Sequence, residues 1–452
     1  MTGRGNIYKL LDMPQSSIKK TEVAIIGAGY SGLAAAALLA QKGVRTEVFE
    51  LLKVAGGRAR CTEREGFVLD HGVHSHRLPD DCSAARLIRQ IGETIDWAPG
   101  HGDRPEMISD GERFVFPQTV IESLKLPFLG AGDRLRLLVM LGRVKFGNPS
   151  KYTKVSFADY VGSAVKRPKF RALMKALSFA AMAPDIHTSS AGEVVDLLQK
   201  GMSAKRGVST PLGGEGQLIK KMIKRIVDPA RLNLGDGVKR ICIQDRRVDA
   251  VETELGVCRA RAVLFTVPIQ KLFKFVDPSH FRPEFREYAQ SLVPTSGISV
   301  DLALAEPVTD MGGGILDLSG PLIGKFPSVA DPSLAPPGKQ LSTWLWVVDH
   351  SKMRDKKFMR ASREVMRCEI EKMVPGIMKA VMWERWLYFS ILDGALLKVG
   401  QAWQDRHPLK SQDVSNLFFA GDTAGAPGVG GEIAFESAMK VVPLIERYLQ
   451  EK

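Results

Sequence analysis

No segment of this 452-residue sequence has the roughly 20 consecutive apolar residues that a membrane-spanning helix requires. Met1 to Thr21 carries Lys9, Lys19 and Lys20 but no apolar core of signal-peptide length, so neither export nor a membrane span is expected and the chain is placed in the cytoplasm. Cysteine is scarce. Cys61, Cys82, Cys242, Cys258 and Cys368 are odd in number, far apart and form no C-x-x-C pair, which excludes a disulfide framework and reads as reduced thiols. The formal net charge of +13 suits anionic partners, yet no dense Lys/Arg tract with interleaved aromatics occurs, so nucleic-acid binding is not expected. Internal repeats and low-complexity tracts are missing too. What is present is an ordinary globular composition, 44% apolar and 25% charged, in a chain long enough for two domains.

Against this background Val23 to Glu50, VAIIGAGYSGLAAAALLAQKGVRTEVFE, reads as a complete strand, turn, helix and second strand. Val23 to Ile26 is a short apolar run rich in β-branched residues, which suits a parallel strand covered on both faces. In the turn that follows, Gly27 lets the chain reverse, Gly29 lets a pyrophosphate approach the backbone, and Gly32 lets the helix pack against the strand; Ala28, Tyr30 and Ser31 complete it. Leu33 to Gln41 is the Ala/Leu-rich helix whose N-terminal amides and positive dipole end face the phosphates. Gly43 ends it, Arg45 to Phe49 forms the second strand, and Glu50, 23 positions after Gly27, offers a carboxylate to an adenosine ribose. A G-x-G-x-x-G alone is often only a loop. A strand before it, a helix after it and an acid in place make it a nucleotide site.

Two further glycine-rich turns follow. Gly56 and Gly57 permit another close backbone approach and Arg58 supplies a charge for phosphate, with a surface turn and a solvated arginine as the plain alternative. Phe67 to Leu69 is a short strand leading into the polar loop Asp70 to His76. At the far end NLFFA, Asn416 to Ala420, reads as a strand entering Gly421 and Asp422, and GAPGVGGE, which contains Gly430 and Gly431, opens a helix at about Ile433. Between these, Val238 to Pro268 reads as alternating strands with turns near Asp245 and Gly256, and STPLGGEGQ, Ser209 to Gln217, as a junction before a basic amphipathic helix from Leu218.

Together these segments resemble the flavin amine oxidase superfamily, in particular its phytoene desaturase-like branch. The resemblance covers about 55 residues after Thr21, the middle segment from Val238 and about the last 40 residues. It implies noncovalent FAD as cofactor. It places Gly72, Val73 and His74 near the flavin, Val238 at the adenine through its backbone, and Gly421, Asp422, Gly430, Gly431 and Ile433 against the ribityl chain and ring. It implies an α/β fold, with a discontinuous Rossmann-type FAD-binding domain over 21–110, 205–275 and 400–452 and an inserted α+β substrate domain over 111–204 and 276–399. No second dinucleotide fingerprint occurs, so no nicotinamide domain is expected. The implied function is an FAD-dependent oxidoreductase that transfers hydride between flavin and the C–H or C=C bonds of a hydrophobic, isoprenoid-type substrate. Desaturation, reduction and isomerisation all remain open to it. A flavin amine oxidase and a non-catalytic FAD-containing binding protein are the alternatives.

Other constellations carry less. His71, His74 and His76 alternate in one loop without matching acid or cysteine spacing, so no metal is expected. His74 is the one catalytic candidate, by resemblance, with a satisfied structural histidine as the plainer reading. Trp344, Trp346, Trp383 and Trp386 alternate as on strands and read as core rather than as a substrate wall. In Asp133 to Phe146, DRLRLLVMLGRVKF, apolar residues cover nearly every helical face and arginines interrupt in two stripes. Such a helix is either buried, the plainer reading, or in peripheral contact with an anionic membrane. Residues 1 to 20 read as a lead-in with one helical turn at Ile7 to Leu11.

Overall fold

The computed structural model describes residues 18–77, 80–98, 104–117, 119–179, 181–183, 185–203, 208–318, 320 and 322–451. The expected helical turn at Ile7 to Leu11 lies outside them. The architecture is the expected α/β one, organised by two seven-stranded sheets. In the first, Ala230–Leu234, Thr46–Glu50, Ile18–Ile26, Val257–Phe265 and Leu417–Phe419 run parallel in that order. Arg247–Thr253 and Val238–Gln244 extend it antiparallel from the N-terminal half of Val257–Phe265. The first strand is longer than its apolar run: Ile18 to Thr21 pair with Val257 to Ala260, which moves the end of the presumed lead-in into the sheet. A long partner strand supplies hydrogen bonds to that backbone whatever its side chains, so Lys19 and Lys20 sit in a strand.

The helix after the first turn, Tyr30–Gln41, is buried from Tyr30 to Ala40, as its all-round apolar character demands. Its alanines let the last helix, Gly431–Gln450, lie close, and Leu33, Leu38 and Leu39 share a cluster with Phe435, Val441 and Ile445. Each leucine withdrawn from water there contributes about 2 kcal/mol. The expected turn at Asp245 is a two-residue hairpin loop in which Asp245 and Arg246 both have positive φ, 47° and 56°, the geometry whose twist matches the flanking strands.

The second sheet has the order Val381–Asp393, Thr295–Leu304, Gln340–Val348, Leu322–Lys325, Gly314–Asp317, Glu106–Ser109, Glu112–Val115. Thr295–Leu304 is buried throughout. One face packs on helix Lys356–Met373, where Met366, Ile370 and Met373 meet Ile298, Val300, Leu302 and Trp344. Trp346 and Trp386 join that cluster and Trp383 packs edge-on against Phe67, so the tryptophans are core. The other face carries Lys325, Thr343, Asp301 and Arg385 in one row. It turns toward the hairpin Cys61–Arg64 and Phe67–Asp70: Arg385 donates to Asp301 Oδ2 at 2.7 Å, to Thr62 Oγ1 at 2.7 Å and to the Asp70 carbonyl.

Helices Ala131–Phe146, Pro168–Phe179 and Ala191–Ser203 build a third cluster. Here the reading of Asp133 to Phe146 as a helix buried on all faces is corrected. Asp133, Leu137, Met140 and Val144 are buried, while Leu135, Val139 and Phe146 are 63%, 57% and 84% exposed, because the neighbouring helices cover one side only. No described helix is long and apolar enough to cross a membrane.

Candidate functional site

The parallel strands Ile18–Ile26, Val257–Phe265 and Leu417–Phe419 end together, at the edge where open α/β sheets bind ligands. Gly27 has φ +102°, and a Cβ on it would stand 2.8 Å from Thr266 Oγ1. A Cβ on Gly32 would stand 2.0 Å from the Gly27 carbonyl oxygen. These two glycines are needed for packing within the protein. Gly29 is different: it begins the helix with an ordinary φ of −76°, and a Cβ there would meet no atom within 4 Å. The first turn therefore holds an open cradle at its middle glycine, over the N-terminal amides of a buried helix, which fits a pyrophosphate.

Glu50, at the end of the second strand, is buried and accepts from the amides of Ala28 (2.8 Å) and Leu52 (3.0 Å). It anchors the turn, and each oxygen keeps a lone pair for a ribose hydroxyl. Gly56 donates to the Ala28 carbonyl at 2.8 Å and bridges Gly29, while a Cβ on Gly57 would stand 3.1 Å from Gly29 Cα, so the second glycine turn lies against the first. Val238 begins its strand beside the loop after Glu50: Gly235 donates to the Leu52 carbonyl at 2.9 Å, and a Cβ on Gly237 would stand 2.6 Å from Leu51 Cδ1.

Arg58 differs from the free cation expected. Its Nη1 and Nη2 form a two-pronged pair with Asp422, at 2.7 and 2.8 Å, and Nη1 also donates to the Leu392 carbonyl at 2.9 Å. Burial would raise the Asp422 pKa, but Arg58 and the Gly394 amide outweigh it and hold the carboxyl below its ordinary value. The pair joins the second glycine turn to the last strand, positions the sequence separates by 364 residues. Gly421 has φ +115° and donates to Ser437 Oγ at 2.8 Å, and a Cβ on it would stand 3.6 Å from Ser31 Oγ. Gly430, at φ +52°, and Gly431 start the last helix. Ile433 is buried in the cluster of the inserted helices.

The polar loop divides its histidines among different tasks. His76 Nε2 lies 3.0 and 3.2 Å from the two oxygens of buried Glu215, which also accepts from the Tyr30 hydroxyl. The Tyr30 ring stacks on Phe435 at 4.6 Å and stands 3.5 Å from where a Cβ on Gly431 would be. His74 Nε2 bonds only weakly to the His71 carbonyl, at 3.3 Å, while the His74 carbonyl accepts from Lys325 Nζ. Lys325 is half-buried, and loss of solvent around its ammonium lowers its pKa despite nearby Asp70 and Glu215. His71 Nδ1 is buried without a partner among the described residues, and burial with the cations Arg60 and Arg385 lowers its pKa to about 4. Gly72, at φ +105°, faces the Phe389 ring, and Val73 packs with Phe179, Met182, Ile323, Leu345, Val347 and Leu392 in a separate apolar cluster.

Glu215 and Lys325 escaped the sequence reading, and His76 was weighed there only as a metal ligand. Glu215 carried one faint signal, as the single acid in STPLGGEGQ. Loop, helix and glycine turns meet as a cradle for a dinucleotide with the apolar cluster around Val73 beside it.

Comparison with known proteins agrees with this geometry. A family described as flavin containing amine oxidoreductase matches residues 30–445. The chain is 24% identical over 500 residues to phytoene desaturase (lycopene-forming) of Pseudescherichia vulneris, covering 91% of this chain and 97% of that one. It is 28% identical over 374 residues to phytoene dehydrogenase of Streptomyces griseus, covering 71% of each. Among solved structures, an oxidoreductase from Methanosarcina mazei superposes with a TM-score of 0.81 at 19% identity, over 93% of this chain and 100% of that one.

Proposed function

The chain belongs to the flavin-containing amine oxidoreductase family and is an FAD-dependent oxidoreductase, and from that premise we propose that it acts on C–H or C=C bonds of an extended apolar, isoprenoid-type substrate. One observation carries the substrate class. The second sheet and the end of Pro168–Phe179 pack the apolar side chains Phe179, Ile323, Leu345 and Val347 around Val73, next to the Lys325 ammonium that holds the His74 carbonyl. We assign the FAD-binding domain to 21–110, 205–275 and 400–452 and the substrate domain to 111–204 and 276–399, although strand Glu106–Ser109 pairs within the second sheet.

The turn Gly27 to Gly32, with Gly56 and Gly57, would hold the pyrophosphate, Glu50 the ribose and Val238 the adenine. Gly421, Asp422, Gly430 and Gly431 would hold the flavin end. Arg58 acts through Asp422, keeping that carboxylate charged and in place. Bound FAD supplies hydride-transfer chemistry. The apolar cluster around Val73 would border the hydrocarbon and help keep water from it.

An isoprenoid polyene or alkene should change the flavin spectrum in anaerobic stopped-flow, bleaching oxidised enzyme or reoxidising prereduced enzyme, whereas primary and secondary amines should do neither. Bleaching by an amine alone would move the assignment to amine oxidase, and silence toward both panels would leave a binding protein.

A second expectation concerns where the substrate comes from. The exposed face of Ala131–Phe146 combines Leu135, Leu138, Val139 and Phe146 with Arg143 and Lys145, and Ile121 is exposed nearby. Such a face suits the surface of an anionic bilayer, where a cytoplasmic enzyme meets lipophilic compounds. Cosedimentation with anionic vesicles should exceed that with neutral ones, weaken with salt, and fall several-fold in Leu138→Glu/Val139→Glu. Equal, negligible binding to both vesicle types would remove the membrane from the account.

A further inference from the structure

One carboxyl at the site is left over. Asp393 ends strand Val381–Asp393, and the peptides on either side of it are pinned: the Leu392 carbonyl by Arg58 and the Gly394 amide by Asp422 Oδ2 at 2.6 Å. Its own carboxyl has no hydrogen-bond partner among the described residues. Its Oδ1 lies 2.8 Å from where a Cβ on Gly430 would stand, and Gly430 has φ +52°, so glycine at the start of the last helix leaves it room. The preceding residue, Leu392, packs in the apolar cluster around Val73. Asp393 therefore sits where that apolar cluster meets the glycine turns.

We propose that the Asp393 carboxylate exchanges a proton with the substrate carbon next to the one that exchanges hydride. The inference rests on the functional reading above. Removing two hydrogens from adjacent carbons releases one as hydride, for which FAD is the acceptor, and one as a proton. The C–H electron pair left by that proton becomes the second bond of C=C, and Asp393 takes the proton and becomes a neutral acid. In the reducing direction the same acid returns the proton to carbon.

The charged groups around Asp393 suit the task. Burial and the neighbouring Asp422 carboxylate raise its pKa, Arg58, His74 and Arg406 oppose them, and the balance stands at about 6. Asp422, held charged by Arg58, and Asp393, pushed up, form a carboxylate pair whose environments drive their titrations apart. A base titrating there is half ionised at about pH 6 and mostly carboxylate at neutral pH, so it can take a proton and release it again.

The test uses FAD-loaded protein and has two readouts. Without substrate, infrared titration should show a protonated-carboxyl band with its midpoint near pH 6 that Asp393→Asn abolishes. Its absence from the wild type, or its survival in Asp393→Asn, overturns the proposal. With the compound that reacts in the stopped-flow panel, Asp393→Asn should keep its FAD and its substrate affinity but lose about 100-fold or more in the rate of flavin reduction. Wild-type desaturation should rise with pH through about 6, as the carboxylate forms, and that inflection should vanish in Asp393→Asn and return in Asp393→Glu. A variant that keeps the wild-type rate and pH profile overturns the proposal alone. A wild type that reacts with no apolar compound takes the functional reading down with it.

Discussion

Gly29→Val is expected to give a folded protein that binds FAD at least about 100-fold more weakly than the wild type, a loss of about 2.8 kcal/mol. The backbone at Gly29 has φ −76° and ψ −175°, which valine adopts without strain, and no protein atom stands within 4 Å of the new Cβ. The fold loses only a favourable helix-start residue, about 1 kcal/mol. The branched side chain instead fills the cradle that the pyrophosphate would enter. Gly32→Val is the control with the opposite outcome. Its Cβ would stand 2.0 Å from the Gly27 carbonyl, so the turn itself must move and the protein should lose thermal stability before cofactor is considered. Circular dichroism melting, combined with the flavin released on boiling, separates the two. Full FAD occupancy in Gly29→Val would show that the pyrophosphate lies elsewhere, and melting like that of Gly32→Val would show that the space is not open.

Removing His76 should have the largest effect on the folded state. His76→Ala leaves the fully buried Glu215 carboxylate without its counter-charge, a change that costs about 3–5 kcal/mol. Burial alone would lower the histidine and raise the glutamate, but their attraction, with help from Cys82 on one side and Tyr30 on the other, wins at both. His76 rises from 6.5 to about 10, and Glu215 falls from 4.5 to about 2. The histidine's contribution to stability is therefore complete below pH 6.5 and fades as pH rises through about 10, whereas the glutamate's is complete above pH 4.5 and fades toward 2. The stability gap between wild type and His76→Ala should be widest between those inner limits and narrow at alkaline pH. Tyr30→Phe keeps the ion pair and should lose about 1–2 kcal/mol. The double variant His76→Leu/Glu215→Met removes both charges and should melt above His76→Ala. If it melts below, the cost belongs to packing around the pair and not to an unpaired charge. Because Glu215 also donates its amide to Asp70 Oδ1 at 3.0 Å, His76→Ala should loosen the loop from Asp70 and lower FAD content.

The features that were legible in the sequence depend on neighbours in the chain. Val23 to Ile26, the three glycines, the alanine-rich helix and Glu50 lie within 28 residues, and each has a role that backbone geometry alone requires. The same holds for Gly421 and the helix after Gly430, and for the hairpin at Asp245. The helix Ala131–Phe146 shows where such reading stops. Its composition allowed burial on every side, and only the placement of the adjacent helices left Leu135, Val139 and Phe146 uncovered.

The electrostatics of the site belong wholly to the tertiary structure. Tyr30 and Glu215 are 185 residues apart, His76 and Glu215 139, and Arg58 and Asp422 364. From an arginine after two glycines the sequence shows a charge for phosphate, and the tertiary structure adds the Asp422 carboxylate that holds it. A histidine that the loop offered only as a metal ligand becomes half of an ion pair once a buried glutamate meets it. The sequence by itself determined the nucleotide turn, the α/β class and the family, because short-range backbone chemistry encodes them. Which charges pair, and that the Asp393 carboxyl has no hydrogen-bond partner among the described residues beside an apolar cluster, was decided only when segments distant in sequence packed together, since burial and distance set the worth of a charge.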